Sequence, residues 1–395
     1  MANTPDNKPV VGVFFGSRSA EHDVSVITAL ASIIKPLELS RKYEVVPVYI
    51  TKKGEWYSGD ALKDVSLFSS GKIEKWLAKR KPVLIDLSDG LRIVHPKLKN
   101  RSVKIDVAFP ATHGTFGEDG TLMGVFEMAD VAYVGCGVSA SALAMDKVLA
   151  KDVAAAAGVR TNEYFWFTAD EFARNQSDIV KVAKKMKWPL FVKPAHLGSS
   201  IAITKVNNEK EFVNAVEVAI YYDDKIIVEE GVKNLVEVTV PIMGNDQLII
   251  ANTEEPVQGD EFFDFETKYI RGGGKKGGAK GGGKGGAKGA QGYSNIPARI
   301  NDKLTKECKE MAEAVYRGLG CTGIARIDLL IDSKTSKVYF NEVNPLPGSL
   351  YAHNWRSIGI SSVDLVDKLV GYGLERHASR ARLATTFDTN FLQQF

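Results

Sequence analysis

The stretch IARIDLLIDSKTSKVYFNEVN, residues 324–344, decides the fold. Its apolar runs, Ile324 to Ile331 and Lys337 to Asn344, read as strands, and Asp332 to Lys337 between them reads as a turn. Side chains alternate faces along a strand, so Arg326 and Asp328 point the same way, as do Glu342 and Asn344. A hairpin centred on Thr335 sets Asp328 opposite Glu342 and Arg326 opposite Asn344, with paired Cβ atoms roughly 5 Å apart. Two carboxylates, an amide oxygen and a guanidinium then share one patch. Hard oxygen donors with few Cys or His nearby suit Mg²⁺, which keeps several waters and is completed by substrate phosphates. A salt-bridged solvent face on an edge hairpin would use the same residues.

Working outward, 395 residues exceed what one compact core holds, and two or three domains are expected. An apolar fraction of 44% with 25% charged residues is ordinary for a globular protein. No apolar run reaches the roughly 18 residues a membrane span needs. The start MANTPDNKPV has neither the basic opening nor the apolar stretch of a secretory signal. Cys136, Cys308 and Cys321 lack metal-type spacing and leave an odd thiol, so a reducing cytosol and buried thiols are expected. Six basic residues (Arg271, Lys275, Lys276, Lys280, Lys284 and Lys288) fall in one low-complexity tract, and removing them turns the net charge of +3 into −3. A general nucleic-acid surface is not indicated by such a body.

The chain opens strand, glycine turn, helix, strand: VVGVFF, Gly16 to Ser19, Ala20 to Ile34, then EVVPVYI, a parallel α/β beginning. Another apolar strand, Asp106 to Pro110, runs into the loop Ala111 to Gly120, and loops at strand C-termini are where such sheets place ligands. A helix is expected over Ser139 to Ala157, with Leu143, Val148, Leu149 and Val153 on its core face and Gly158 as its stop. Next come PLFVKPA, AITKV and KIIVEE as short strands, with a helix near Glu209 to Ile220. The last unit carries a helix over Asp302 to Leu319 with the stripe Leu304, Cys308, Met311, Val315, Leu319. These units divide the chain into 1–138, 139–235 and 236–395.

Pro194 to Ser200, PAHLGSS, lies between two strands, so its exposed N–H groups and hydroxyls can cover a triphosphate without capping a helix. Lys193 just before it and Lys147 on the preceding helix are candidates for the phosphates. The tract GGGKKGGAKGGGKGGAKGAQG, inside a Gly/Lys-rich insertion spanning 271–292, has no apolar residue larger than alanine and cannot offset its ordering entropy by burial. It is expected to be a mobile flap or neutral insertion, with non-specific RNA or DNA binding as the other reading.

The segments GSRSAEHDVS (16–25), HGTFGEDGTLMGVFEMADVAYVGCGVSASALAMDK (113–147), VKPAHLGSS (192–200), FFDFETKY (262–269), GIARIDLL (323–330) and NEVNPLPG (341–348) together resemble the D-alanine:D-alanine ligases of the ATP-grasp superfamily. The resemblance spans nearly the whole chain, in the family's order. It implies a three-domain α/β fold: an N-terminal parallel α/β domain, with nucleotide held between two further sheet-containing domains. It also implies ATP, two Mg²⁺ ions (Mn²⁺ substituting), a homodimer, a cytoplasmic setting and D-alanine as substrate. In that family ATP phosphorylates one D-alanine carboxylate and the amine of a second displaces the phosphate.

Carried over by motif, Asp328, Glu342 and Asn344 match the metal site, Arg326 the arginine on the transferred phosphate, and Gly348 a backbone donor to the developing oxyanion. Lys147, Lys193 and Ser200 match phosphate contacts, Glu230 the adenine contact and Glu237 the ribose contact. Glu21 resembles the carboxylate that receives the first ammonium, and His113 a nearby substrate contact. Lys268 matches a substrate contact, while Ser199 and Tyr269 match partners that close a lid with Glu21 and keep water from the acylphosphate.

The sequence departs from the family at three places. Gly231 to Lys233 replace its usual apolar adenine wall, and the Gly/Lys tract follows Tyr269 where the family has a short loop. His353 stands where the family grips the second substrate's carboxylate with Ser, which leaves D-alanine, D-serine and D-lactate open as acceptors. The retained Tyr269 favours the dipeptide. A non-catalytic nucleotide-binding protein with a nucleic-acid-binding tract is the reading of another class, and the intact acidic cluster argues against it.

Overall fold

The computed structural model describes residues 8–96, 101–256, 294–386 and 388–394. Lys268, Tyr269 and the Gly/Lys insertion therefore lie outside the described residues. The first sheet has the order Trp56–Ser58, Glu44–Ile50, Val10–Gly16, Val107–Pro110, Ala132–Tyr133, parallel except at the Trp56–Ser58 edge. Its central strand, VVGVFFG, is buried on both faces, which is why it reads as a continuous apolar run. One face packs on the segment 22–40 and on the helix Ser362–Arg380, and the other on the helix Thr121–Met128. The chain's last long helix thus returns to the first sheet through Leu365, Val366, Leu369 and Val370. A separate antiparallel trio, Leu84–Asp86, Leu91–His95 and Arg101–Ile105, lies beside it.

Two antiparallel four-stranded sheets follow. The middle one runs Thr204–Val206, Leu190–Pro194, Lys225–Glu230, Tyr164–Thr168 and is backed by the helices Ala169–Lys185 and Glu209–Ile220. Thr168 and Glu171 form a reciprocal capping box, and Asn208 accepts from Glu211 N, so both helix starts satisfy backbone donors. The last sheet runs Leu248–Ile250, Leu235–Gly244, Gly323–Asp332, Lys337–Asn344. The helix Asp302–Gly318 lays Leu304, Cys308, Ala312, Val315 and Tyr316 against it, with Met311 half-buried at the rim. Each such fully buried large aliphatic side chain contributes about 1.5–3 kcal/mol. All three cysteines are buried and free. Among the described residues, no helix is long and apolar enough to cross a membrane.

Three local expectations are corrected. The helix expected over 139–157 is two, Val138–Met145 and Lys147–Ala156, because the Asp146 carboxylate accepts from Val148 N at 2.9 Å and Leu149 N at 3.2 Å and starts a new helix. Leu149, placed on the core face by a single-helix pattern, is consequently exposed. The helix expected to end at Ile34 continues to Ser40, with Thr28–Ile34 wound as a wider π-helix. That wider turn precedes Pro36, which has no N–H to donate back along the helix. In the 324–344 hairpin, Arg326 pairs with Asn344 and Asp328 with Glu342 as expected, but Leu329 pairs with Phe340, so Asn341 is an extra, bulged residue.

Candidate active site

The hairpin register gathers four charged and polar side chains on one face of the last sheet. Arg326 donates from Nε to Asp328 Oδ1 at 2.7 Å and from Nη2 to Asp328 Oδ2 at 2.6 Å. Asn344 Nδ2 donates to Asp328 Oδ2 at 3.1 Å. Burial works against the Arg326 charge, but Asp328 and Glu342 outweigh it and hold the guanidinium pKa well above its ordinary value. Lys147, the first residue of its helix, places Nζ 3.6 Å from Glu342 Oε2 and donates to Leu197 O at 2.6 Å. One ammonium therefore ties the Pro194–Ser200 loop of the middle sheet to Glu342 of the last sheet.

Behind that loop, Lys193 donates to Glu229 Oε2 at 2.7 Å, and Lys151 Nζ lies 3.3 Å from Glu229 Oε1. Asn162 Oδ1 accepts from Lys151 Nζ at 2.9 Å. Burial alone would raise the Glu229 pKa, but Lys151 and Lys193 bring it down to about 2. Glu230, one residue on, faces the other way and accepts from Lys187 N at 2.8 Å. The side chain beside Lys193 is thus Glu229, and Glu230 lies on the opposite face of the strand. Glu237 is half-buried on Leu235–Gly244, paired in register with Leu330, and Ser200 is half-buried in the loop.

The loop also meets the N-terminal segment. Ser199 Oγ hydrogen-bonds Glu21 Oε1. Glu21 is buried between two glycines: a Cβ at Gly198 would stand 2.9 Å from Glu21 Oε2, and one at Gly114 2.7 Å from it. Gly114 also has φ +71, so only glycine fits there without strain. Burial first, then the Glu118 charge, raises the Glu21 pKa, while His113, Ser199 and Lys147 oppose the rise. His113 Nδ1 lies 3.7 Å from Glu118 Oε1, and His113 Nε2 lies 2.8 Å from Thr28 Oγ1. Burial alone would lower the imidazole pKa, but Glu118 and Glu21 leave it raised. Thr28 Oγ1 further accepts Ser349 N–H at 3.0 Å, joining the first helix to the turn after Gly348.

That turn is unusual. Ser349, Leu350 and Tyr351 all have φ between +52° and +55°, three successive non-glycine residues in the left-handed region. Such residues cost roughly 1–3 kcal/mol each and persist where surrounding contacts over-determine them. Gly348 is half-buried at its start, and no atom lies within 4 Å of where a Cβ would sit. The Tyr351 ring lies 5.0 Å from the Arg326 guanidinium and 4.7 Å from the His353 ring. His353 Nε2 stands 2.9 Å from Glu254 Oε2 and 3.0 Å from its Oε1, and Asn354 Nδ2 donates to Glu254 Oε2 at 3.1 Å. Burial would raise the Glu254 pKa, but His353 and Asn354 lower it. His353 therefore lies one aromatic ring away from the arginine of the acidic cluster.

Sequence reasoning missed Thr28, Glu118, Lys151, Glu229 and Glu254. Lys151 carried a signal, since it lies four residues after Lys147 and shares its helix face. Glu118 sat unweighted inside the HGTFGEDG motif. Thr28 and Glu254 carried none, because their partners are distant in sequence.

With this geometry in hand, comparison with known proteins is decisive. Residues 10–136 match the family model for the D-ala D-ala ligase N-terminus, and residues 153–371 that for the D-ala D-ala ligase C-terminus. The chain belongs to the D-alanine–D-alanine ligase family. A D-alanine–D-alanine ligase of Chloroherpeton thalassium is 37% identical over 386 residues, covering 95% of this chain and 98% of that protein. Among solved structures, the D-alanine–D-alanine ligase from Coxiella burnetii superposes with TM-score 0.76 at 26% identity, covering 95% of this chain and 96% of that one. The VanG D-Ala:D-Ser ligase from Enterococcus faecalis superposes with TM-score 0.74 at 30% identity, covering 93% and 100%. The α/β architecture is that of the ATP-grasp D-alanine–D-alanine ligases, ATP-dependent enzymes whose reaction draws on Mg²⁺. Asp328, Glu342 and Asn344 fit that ion: the donors are two carboxylates and an amide oxygen, all hard ligands.

Proposed function

We propose that this protein joins two D-alanines into D-alanyl-D-alanine with ATP, through an acylphosphate, to supply a peptidoglycan precursor. The observation that carries the reading is the Lys147 ammonium, 2.6 Å from Leu197 O and 3.6 Å from Glu342 Oε2. It brings the phosphate-covering loop beside Glu342 of the acidic cluster. There Lys147, Lys193 and Ser200 would receive phosphate oxygens, and Asp328, Glu342 and Asn344 would hold two Mg²⁺ ions. When bound, those ions neutralise charge on the phosphoryl group in transfer, and Mn²⁺ can substitute. Arg326, charged and fixed by Asp328, is aimed at the transferred phosphoryl group and the oxyanion that follows, with Gly348 N–H as second donor. Glu230 contacts the adenine amino group and Glu237 the ribose.

Glu21 receives the ammonium of the first D-alanine, and His113 with Glu118 lines the same end. Ser199 with Glu21, joined by Lys268 and Tyr269, closes the site against water that would hydrolyse the acylphosphate. We take the chain as three domains, 1–138, 139–235 and 236–395, acting as a cytoplasmic homodimer. A second reading, D-serine or D-lactate as acceptor, is favoured by one observation, the bond of His353 to Glu254 where the family has serine. Mass spectrometry of products formed from ATP, Mg²⁺ and D-alanine with competing D-serine or D-lactate tests both. D-alanyl-D-alanine as main product supports the first reading. A mixed product supports the second, and no ADP release with any of them overturns both.

A further inference from the structure

The His196 imidazole lies at the base of the Pro194–Ser200 loop with a carboxylate at each ring nitrogen. Nδ1 is 3.0 Å from Asp223 Oδ1 and 3.1 Å from its Oδ2, while Nε2 is 3.2 Å from Asp146 Oδ2. A neutral imidazole has one N–H and one lone pair, and the lone pair would then face a carboxylate oxygen. Both contacts are favourable only when both nitrogens donate. Asp146 and Asp223 are themselves buried and fixed: Asp146 caps the helix that begins at Lys147, and Asp223 Oδ2 accepts from His196 N at 2.7 Å. Lys225 Nζ donates to Asp146 Oδ2 at 2.7 Å, and Asp224 stands at the open side. Lys147 and Lys193 are directed elsewhere, to Leu197 O and Glu229.

We propose that His196 is a positioning residue whose imidazolium, donating to Asp146 and Asp223 at once, locks the phosphate-covering loop to the helix that carries Lys147. Three elements meet at this ring: the loop itself, the capped helix start, and the turn into the strand Lys225–Glu230. The lock is reinforced one step away, where Lys147 N donates to Ala195 O at 3.1 Å and Lys147 Nζ to Leu197 O. Losing the ring's charge leaves the two carboxylates their backbone donors and, for Asp146, the Lys225 ammonium, but no cation shared between them. The loop and the Lys147 ammonium then lose their common register, which weakens ATP more than either amino acid. Hydrogen bonds donated by the ring to Asp146 and Asp223 hold the His196 pKa at about 9, so the lock is intact near neutrality and releases as pH rises through that value. His196, Asp223 and Asp224 also have the donor types of a cation site, but both ring nitrogens already serve the two carboxylates.

This inference rests on the assignment of the loop to the nucleotide, so the test has one arm that needs no nucleotide. Titration of the six histidines in the ¹³C/¹⁵N-labelled full chain should show His196 losing its proton near pH 9, with both ring N–H signals present at pH 7. Titration at or below the ordinary imidazole value of about 6.5, or a His196 signal that shifts on adding a chelator, overturns the proposal. In the kinetic arm, His196→Gln should raise KM for ATP on the order of tenfold at pH 7, with kcat and KM for D-alanine changed far less. His196→Arg, which keeps the charge at every accessible pH, should restore KM and abolish the rise that the wild type shows above about pH 9. Equal KM for ATP in the Gln variant and the wild type overturns the lock. Absence of ATP binding in the wild type, with the titration near 9 intact, overturns the nucleotide assignment instead. A variant that does not fold leaves the titration to decide.

Discussion

Arg326 and Asp328 form a two-bond fork, at 2.7 and 2.6 Å, between residues two apart on one strand. Both oxygens of Asp328 are engaged by the guanidinium, so the pair presents a fixed cation beside a fixed anion rather than two loose side chains. Asp328→Ala removes the anion and frees the guanidinium from its orientation. Phosphate release in the presence of D-alanine should fall by at least about a hundredfold, and the melting temperature should drop by an amount corresponding to ~1–3 kcal/mol for the orphaned Arg326. Wild-type turnover in this variant would refute the metal and phosphate assignment.

Glu229 makes acid stability a test of the buried Lys151–Glu229–Lys193 group. Its pKa is about 2 in the folded chain against 4.5 for the free group. A depressed folded value means the stabilisation is fully present above pH 4.5 and is lost as pH falls through about 2. The linked contribution is roughly 3 kcal/mol. Denaturant unfolding at pH 7 and pH 3 should show the wild type losing part of this amount, and Glu229→Gln should be weaker at pH 7 with a flatter acid limb. Parallel acid limbs in the two proteins would remove Glu229 from the account.

Thr28 connects two regions that share no sequence signal. Its hydroxyl sits 2.8 Å from His113 Nε2 and accepts Ser349 N–H at 3.0 Å. Thr28→Val keeps the shape and deletes both bonds, leaving a buried N–H unsatisfied at a cost of about 1–3 kcal/mol. The expected result is a lower melting temperature together with a raised KM for the first D-alanine, since His113 loses its anchor. An unchanged KM alongside a lowered melting temperature would make Thr28 purely structural.

Alternation along strands made it legible that Arg326 and Asp328 share a face, as do Glu342 and Asn344, because that rule depends on nothing distant; the pairing of Asp328 with Glu342 followed from a hairpin centred on Thr335. The turn lies half a residue earlier than a centre at Thr335, and the bulge at Asn341 restores the register; nothing in the letters marks that bulge. Asp146 illustrates a local signal overlooked: an Asp immediately before a run of helix formers is an N-cap, and it breaks the helix there. Alternation also explains why Glu229 rather than Glu230 joins Lys193, since neighbours on a strand face opposite ways. Thr28 and Glu254 were illegible for a different reason. Their partners, His113, Ser349 and His353, are 85 to 321 residues away, and only the packed fold brings them together.

His353 and Glu254 carry the last prediction, on acceptor choice. The imidazole is held on both Glu254 oxygens and packs at a tilt of 51° against Tyr351, whose ring in turn lies 5.0 Å from the Arg326 guanidinium. An acceptor carboxylate entering beside Arg326 thus meets a donor already engaged by an anion, unlike a serine hydroxyl free to turn. His353→Ser should change KM for the second amino acid by about tenfold or more while leaving that for the first within about twofold. It should also shift the product ratio in competition between D-alanine and D-serine, because the hydroxyl that discriminates them needs a partner at this end. Steady-state kinetics with two resolved D-alanine constants measures the first effect and mass spectrometry the second. Equal changes in both constants, with an unchanged product ratio, would place His353 outside the acceptor subsite and leave its bond to Glu254 as a support for the left-handed turn at Ser349, Leu350 and Tyr351.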